Sequence, residues 1–308
     1  MQKTTVILDQ YGRPIVQQSR LVVAALDVHG NIDSSTIQFK DEWDNGLRSL
    51  DLVVATSGAD LLELLTYELG LVSVNEQGLL QHRIVLTPDV HVTVMRVLGR
   101  IAEALIVREC NRNPTANRRW AMYARRGKIP HRGLDNYKAV GTGLHTTERL
   151  YPTKYRPSDT QRDIIWVHVE DLVSELIEKR QVGASAGVPA GLQIKVSQDG
   201  FRYIYRSDIR RGRYEIPLVY FDLANDYYKL TNAIYQEERD NVRIGVDILR
   251  GRDVSPEIHE WLQSYYDVVY NLVTGRLTLD ALIRDELLLD AFKKDVQEHN
   301  LGGDLIVV

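Results

Sequence analysis

Asp163-Ile-Ile-Trp-Val167 and Gly191-Leu-Gln-Ile-Lys-Val196 are the two short apolar stretches from which the fold and function of this chain can be predicted. Both have the composition of β-strands, yet they carry polar residues that strand propensity does not explain. Gln193 and Lys195 are two positions apart, so their side chains point to the same face of a strand. An amide and an ammonium group among Leu, Ile and Val cost desolvation free energy unless something charged lies between them. A divalent cation and a phosphate would supply those charges, with Asp163 on the neighbouring strand as the anionic ligand.

The composition of the 308-residue chain is that of an ordinary folded protein. Hydrophobic residues make up 44% and charged residues 26%, which argues against disorder. The formal net charge is −4, so any surface for nucleic acid has to be local. The single cysteine excludes an intramolecular disulfide framework and thiolate-rich zinc sites. The N-terminal residues do not resemble a signal peptide and no apolar run reaches membrane length, so we expect a soluble, cytoplasmic protein that does not associate with membranes.

A long helix is predicted from Pro88 to about Cys110, because proline favours a helix start and the following apolar positions recur at intervals of three and four. Glu103 lies at the margin of this apolar stripe, four residues after Gly99. Taken alone, Glu103 would be a boundary residue paired with Arg100 or with solvent. The downstream Asp and Gln-x-Lys make it a candidate ligand instead.

The ordered set of a helix Glu103, a strand-opening Asp163 and the strand pair Gln193 and Lys195 resembles the PD-(D/E)xK nuclease superfamily, in its Gln-x-Lys variant. The Gly-x-x-x-Glu that ends at Glu103 is similar to an element on the first core helix of the Holliday-junction-resolvase and Mrr-type groups. The resemblance implies an α/β protein whose restriction-endonuclease-like mixed sheet is flanked by helices.

The activity implied by this resemblance is metal-dependent hydrolysis of DNA, with RNA not excluded as the substrate. A Mg²⁺ or Mn²⁺ ion would be held by Asp163, Glu103, the amide oxygen of Gln193 and the backbone carbonyl of Ile194. Lys195 would orient the attacking water or neutralise the phosphate. By analogy, the biological role would be restriction or another form of antiviral defence against phage. The alternative is a nuclease fold without catalysis that binds nucleic acid or protein.

The residues between the two strands depart from the family pattern, which joins these strands by a short turn. Here an acidic amphipathic helix is predicted over 169–180, followed by a glycine-rich loop. Asp163 is preferred as the ligand because it opens the apolar strand, where its geometry would be fixed. The competing acids are Asp159, Glu170, Asp171 and Glu175.

The most basic part of the chain lies between Arg108 and Arg132, where eight Lys and Arg residues accompany one acid, Glu109. A solvated face is the ordinary interpretation of such a run, and an arm that follows phosphates is the alternative. Its position directly after the candidate catalytic helix favours the second interpretation. The predicted nucleic-acid-binding residues are Arg112, Arg118, Arg119, Arg125, Arg126 and Lys128.

Three regions are predicted along the chain: a small β-rich recognition or oligomerisation region (1–87), a nuclease-like core (88–250) and a C-terminal helical pair (251–308). The helical pair would pack on the core or on a partner, and a homodimer or a partner protein would use either terminal region. Strands are predicted at 5–8, 21–26, 52–55, 201–205, 216–221 and 242–249, and further helices at 59–69, 226–238, 255–273 and 278–300.

Overall fold

A computed structural model describes residues 7–8, 14–15, 21–45, 47–127, 129–178, 187–237 and 242–298. These residues form a mixed α/β structure with a central mixed sheet between layers of helices. None of the described helices combines the length and the apolar character needed to span a bilayer.

The N-terminal region is built around a helix, and short strand pairs accompany it. Its elements are β1 (Ile7–Leu8) with β2 (Pro14–Ile15), β3 (Val22–Val23) with β4 (Gln38–Phe39), α1 (Lys40–Asp44), α2 (Leu50–Glu63), and β5 (Val72–Val74) with β6 (Leu80–His82). Ser49 begins α2 by accepting a hydrogen bond from the N–H of Leu52. The helix continues as a π-helical turn to Glu68, and Gly70, at a φ of +65°, lies just beyond its end.

The predicted strand at 52–55 is therefore wrong, whereas the helix predicted over 59–69 is confirmed by the second half of α2 and its π-helical continuation. Leu52, Val53 and Val54 are buried because they lie on the core-facing side of α2, and three consecutive apolar residues do not distinguish a strand from a helix.

The helix predicted from Pro88 to Cys110 is confirmed as α3 (Val90–Arg112), capped by Asp89, whose carboxylate accepts the N–H of His91 at 2.9 Å. Cys110 is buried within it. A second helix, α4 (Pro114–Ala124), follows immediately, with Asn113 as its N-cap.

In the described part of the chain, the central sheet has five strands in the order β11-β10-β9-β8-β7. The three strands β7, β8 and β9 are antiparallel, whereas β9, β10 and β11 are parallel. The elements of this region are β7 (Tyr137–Gly141), α5 (His145–Leu150), β8 (Ile164–His168), β9 (Gly191–Ser197), β10 (Leu218–Asp222), α6 (Tyr227–Gln236) and β11 (Ile248–Arg250).

The two stretches from which the fold was predicted are β8 and β9, and they are neighbours in the sheet. Their pairing is short, because only Ile164 opposite Leu192 and Ile165 opposite Gly191 are in register. Beyond these pairs the two strands separate, and β9 continues alongside β10. Asp163 lies at the point of separation.

The helix predicted over 169–180 is wrong for its described part, 169–178, and residues 179–186 lie outside the described residues. The chain turns at Leu172, whose φ is +55°, and Asp171 accepts the N–H groups of Val173 and Ser174. It then returns beside β8, where the N–H of Leu176 donates to the backbone carbonyl of Trp166. Hydrogen bonding to the strand replaces the local helix that the side-chain pattern predicted.

The predicted strand at 201–205 is also wrong, because Phe201–Ile209 is π-helical. The strand was predicted because aromatic residues alternate at the start of this segment. The buried residues are instead Ile204, Tyr205 and Ile209, a spacing that is typical of a helix. The strand at 216–221 is confirmed as β10 and the helix at 226–238 as α6, whereas the strand at 242–249 is reduced to β11.

The C-terminal region contains α7 (Gly251–Val254), α8 (Pro256–Val273) and α9 (Glu286–Glu298). Ser255 and Pro256 begin α8 as N-cap and first helical residue, as predicted. The second predicted helix starts later than 278, because the chain first makes a 3₁₀ turn at Asp280–Leu282.

Within the described residues, one hydrophobic cluster joins N-terminal, central and C-terminal elements. It contains Leu61 of α2, Leu98 of α3, Val219 of β10 and Leu262 of α8. A second cluster, on the other face of the sheet, joins β10 to α6 and to the helical segment 201–209. The division of the chain into three regions stays a prediction.

Candidate functional site

Asp163 lies where β8 and β9 separate, and its backbone is fixed on both sides. Its N–H donates to the carbonyl of Leu192 at 2.9 Å, and its own carbonyl accepts the N–H of Thr142 at 2.8 Å. The carboxylate oxygen Oδ2 accepts hydrogen bonds from Gln193 Nε2 at 2.5 Å and from the backbone N–H of Ile194 at 2.6 Å. Asp163 is thereby held against the strand that carries Gln193 and Lys195.

Glu103 approaches the same point from α3. It is buried, with 8% of its surface exposed. Its nearest cation is Arg100, whose Nε lies 4.0 Å from Glu103 Oε2, while another nitrogen of Arg100 donates to the carbonyl of Gly143. The Nε of Arg100 is itself buried and has no hydrogen-bond partner within the described residues.

The two carboxyl groups share an environment that disfavours negative charge. Burial and, to a smaller extent, the nearby Asp163 raise the pKa of Glu103 to about 8, although Arg100 and Lys195 oppose the increase. Burial likewise raises the pKa of Asp163 to about 6, against the lowering effect of the Ile194 N–H, Lys195 and Gln193. A bound cation would offset the cost of keeping both groups ionised.

Lys195 is placed between two tyrosine rings. Its Nζ lies 5.4 Å from the ring centroids of both Tyr203 and Tyr214. Burial alone would lower the pKa of Lys195, but Tyr203, Tyr214 and Asp163 together raise it above its ordinary value. Lys195 is therefore a cation at neutral pH.

The donor atoms at this site fit a hard cation. Gln193 Oε1 is a buried acceptor without a hydrogen-bond partner among the described residues. The N–H and the carbonyl of a strand residue point to the same edge, so the Ile194 carbonyl faces the gap where β8 has left β9. Two carboxylates, an amide oxygen and a backbone carbonyl are the oxygen ligands that Mg²⁺ and Mn²⁺ prefer.

Within the described residues, no group of three or more His, Cys, Asp or Glu side chains could hold a metal ion. The carboxylates of Asp163 and Glu103 are thus a pair. Such a pair suits Mg²⁺, which usually binds one or two carboxylates and keeps several waters.

Three of the four competing acids are engaged elsewhere. Asp159 pairs with Arg162 at 3.4 Å, and Glu175 pairs with Arg162 at 2.8 Å and with Lys154 at 2.9 Å. Asp171 closes the turn after β8, and Glu170 is exposed.

Three of the five arginines predicted to bind nucleic acid in the basic segment are held in ion pairs. Arg118 binds Asp135 through two hydrogen bonds of 2.7 Å, and Arg119 binds Glu109 at 2.9 Å. Arg126 is bound by Glu178 and, at 2.5 Å, by Asp247, and Arg125 donates to the carbonyl of Ile177 at 3.1 Å. Arg112 is exposed at the end of α3, and Lys128 lies outside the described residues. Their role in nucleic-acid binding stays a prediction.

The sequence interpretation named Arg100 only as an ordinary partner of Glu103, and it missed Tyr203 and Tyr214 as parts of the site. The position of Arg100, three residues before Glu103 on the same face of α3, was the signal for this contact. The two tyrosines could not, because the predicted strand at 201–205 gave no reason to bring them to Lys195.

No protein-family model, curated protein or solved structure matches the chain. The geometry of the site and the chemistry of its residues are therefore the basis for assigning a function.

Proposed function

We propose that the chain is a metal-dependent endonuclease that hydrolyses phosphodiester bonds of DNA, with a restriction-endonuclease-like core of the PD-(D/E)xK type. The observation that carries the proposal is the meeting of Glu103, Asp163, Gln193 and Lys195 where β8 and β9 separate. A role in restriction or other antiviral defence in the cytoplasm fits this activity.

Each residue has a distinct part in the proposed reaction. Asp163 and Glu103 would hold Mg²⁺ or Mn²⁺, assisted by the Gln193 amide oxygen and the Ile194 carbonyl. When bound, the metal ion would stabilise negative charge on the phosphate and make a water nucleophilic at neutral pH.

Lys195 acts on the phosphate and does not serve as a base. Its raised pKa keeps the ammonium group protonated, so it can neutralise charge that develops on the phosphate oxygens. Because this charge is largest in the transition state, Lys195 contributes more to the rate than to substrate binding.

The test is cleavage of supercoiled plasmid, duplex oligonucleotides and a duplex RNA with Mg²⁺, with Mn²⁺ and with a chelator. We expect cleavage only with metal, and a loss of about 10²-fold or more for Asp163→Asn and Lys195→Ala. Asp159→Asn is the matched control, since it changes a nearby acid that pairs with Arg162.

Metal binding has its own readout in the melting temperature. Mg²⁺ should raise the melting temperature of the wild type at pH 8 and leave that of Asp163→Asn unchanged, because only the wild type retains the ligand. Survival of every substrate at all protein concentrations, without a metal-dependent shift in melting temperature, would contradict the proposal.

A nuclease fold that binds nucleic acid or protein without cleaving is the second candidate. It is favoured by the hydrogen bonds that already satisfy Asp163 Oδ2 from Gln193 and Ile194. Metal-independent binding together with intact substrates would identify this second function.

A further inference from the structure

A strongly basic surface lies beside Lys195, on the helical segment Phe201–Ile209 and the turn that follows it. Residues 201–214 contain five arginines and one acid, Asp208. Asp208 is buried, with 1% of its surface exposed, so its charge does not face the solvent as the arginines do. The exposed arginines are Arg202, Arg206, Arg210, Arg211 and Arg213.

The fold arranges three of these arginines in a row. Arg202, Arg206 and Arg210 recur every four residues, and positions four apart lie near one another on one side of a helix. Ile204 and Tyr205 point the other way, into the cluster that packs on β10. The row therefore faces outward.

The ion pairs of this row are long and exposed, in contrast to those of the 108–132 segment. Arg202 lies 3.7 Å from Asp199 with 80% of its side chain exposed, and Arg210 lies 3.8 Å from Glu237 with 59% exposed. Arg126, bound by two carboxylates, is only 14% exposed. Exposed ion pairs contribute little to stability, so an incoming phosphate can replace the carboxylates of the row.

Aromatic rings connect this row to the candidate active site. Tyr203 belongs to the same helical segment, is 48% exposed and has its ring centroid 5.4 Å from Lys195 Nζ. Tyr214, at the end of the basic stretch, contacts Lys195 at the same distance. An exposed ring beside arginines is a platform on which a nucleotide base can stack.

We propose that Arg202, Arg206, Arg210 and Arg211 bind the sugar–phosphate backbone of a nucleic acid and lead it past Tyr203 to Lys195. Guanidinium groups bind phosphate oxygens through charge-assisted hydrogen bonds. The path to Lys195 rests on the proposed nuclease function, whereas binding of the backbone does not require cleavage.

Binding is measured by fluorescence anisotropy in the presence of a chelator, on a labelled DNA duplex, a single-stranded DNA and an RNA duplex, over a range of salt concentrations. The variant is Arg202→Ala/Arg206→Ala/Arg211→Ala. Arg213 is left intact because it pairs with the buried Asp208 at 3.0 Å. We expect affinity to fall about tenfold or more, and the slope of log K against log salt to flatten by about 2–3 units.

A charge-matched control variant makes the test specific. Lys40→Ala/Arg276→Ala/Lys294→Ala removes the same charge from α1, from the residues just after α8 and from α9. This control should bind with nearly the affinity and salt slope of the wild type.

The outcomes separate this proposal from the nuclease proposal. Unchanged binding by the triple variant, an equal loss in the charge-matched control, or no binding of any nucleic acid by the wild type overturns the basic surface. If the wild type binds through the row but cleaves nothing, the surface stands and the nuclease function fails. Tighter binding of RNA than of DNA would support the surface and identify RNA as the source of the phosphates. Single Arg→Ala variants, whose separate losses should sum, replace the triple variant if it melts below the wild type.

Discussion

Glu103 occupies a position where a charged carboxylate lowers the stability of the metal-free protein. Its pKa is about 8 in the folded chain and near 4.5 when unfolded, so the native state binds more protons between these values. Stability contributed by protonated Glu103 is complete below about pH 4.5 and is lost as the pH rises through 8. Glu103→Gln, which cannot ionise, should therefore raise the free energy of unfolding at pH 8 by about 1–4 kcal/mol and change it little at pH 4.5.

Urea unfolding of wild type and Glu103→Gln at both pH values, without divalent metal, measures this difference. The exposed Glu170→Gln is the control and should show no dependence of the difference on pH. If Glu103→Gln stabilises the protein less at pH 8 than at pH 4.5, the pKa of Glu103 is not raised by burial.

At the scale of secondary-structure elements, two helical glycines differ in whether the structure has room for a side chain. A Cβ on Gly58 of α2 would lie 2.4 Å from the backbone carbonyl oxygen of Leu282, whereas a Cβ on Gly99 of α3 would meet nothing within 4 Å. Gly58→Ala should destabilise the protein by about 1–3 kcal/mol, because α2 would have to move away from the 3₁₀ turn. Gly99→Ala should stabilise it by about 0.5–1 kcal/mol.

Thermal unfolding of both variants tests this contrast, with each glycine serving as the control for the other. Loss of metal-dependent cleavage in a stabilised Gly99→Ala protein would show that the glycine of the Gly-x-x-x-Glu element has a role beyond the helix.

The helices and strands that could be predicted are those whose own side chains form a continuous apolar surface. α3, α8, β8, β9 and β10 are continuous apolar stripes or runs, so burial alone determines them. Residues 169–178 and 201–205 could not be predicted, because hydrogen bonds to Trp166 in the first case and packing on β10 in the second decide their structure.

The candidate site likewise contains residues that could be predicted from the sequence and residues that could not. Asp163, Gln193 and Lys195 could be predicted as a group because two adjacent strands carry them. The contacts of Lys195 with Tyr203 and Tyr214 depend on how the helical segment packs, which the sequence alone does not reveal.

At the scale of the whole molecule, the C-terminal helices complete the core around α3. Leu98 and Ile101 of α3 share one cluster with Leu262 and Val269 of α8. A chain ended at residue 250 would expose this apolar face to water and lose the buried area that stabilises the sheet.

We therefore expect residues 1–250 to be unfolded or aggregated, and the full chain to unfold in one cooperative transition. Circular dichroism and scanning calorimetry measure both properties. A truncated protein with a cooperative melt would contradict the shared core and support an independent nuclease-like domain.

The burial of Cys110 has a practical consequence for experiments on this protein. Cys110 is 3% exposed, and burial raises the pKa of its thiol well above the ordinary value, so the reactive thiolate is scarce in the folded chain. Alkylating reagents will reach Cys110 only when α3 leaves the core, so the rate at which the native cysteine is alkylated reports the rate of unfolding. A new surface cysteine on the basic row can also carry a fluorophore or spin label without removal of the native one.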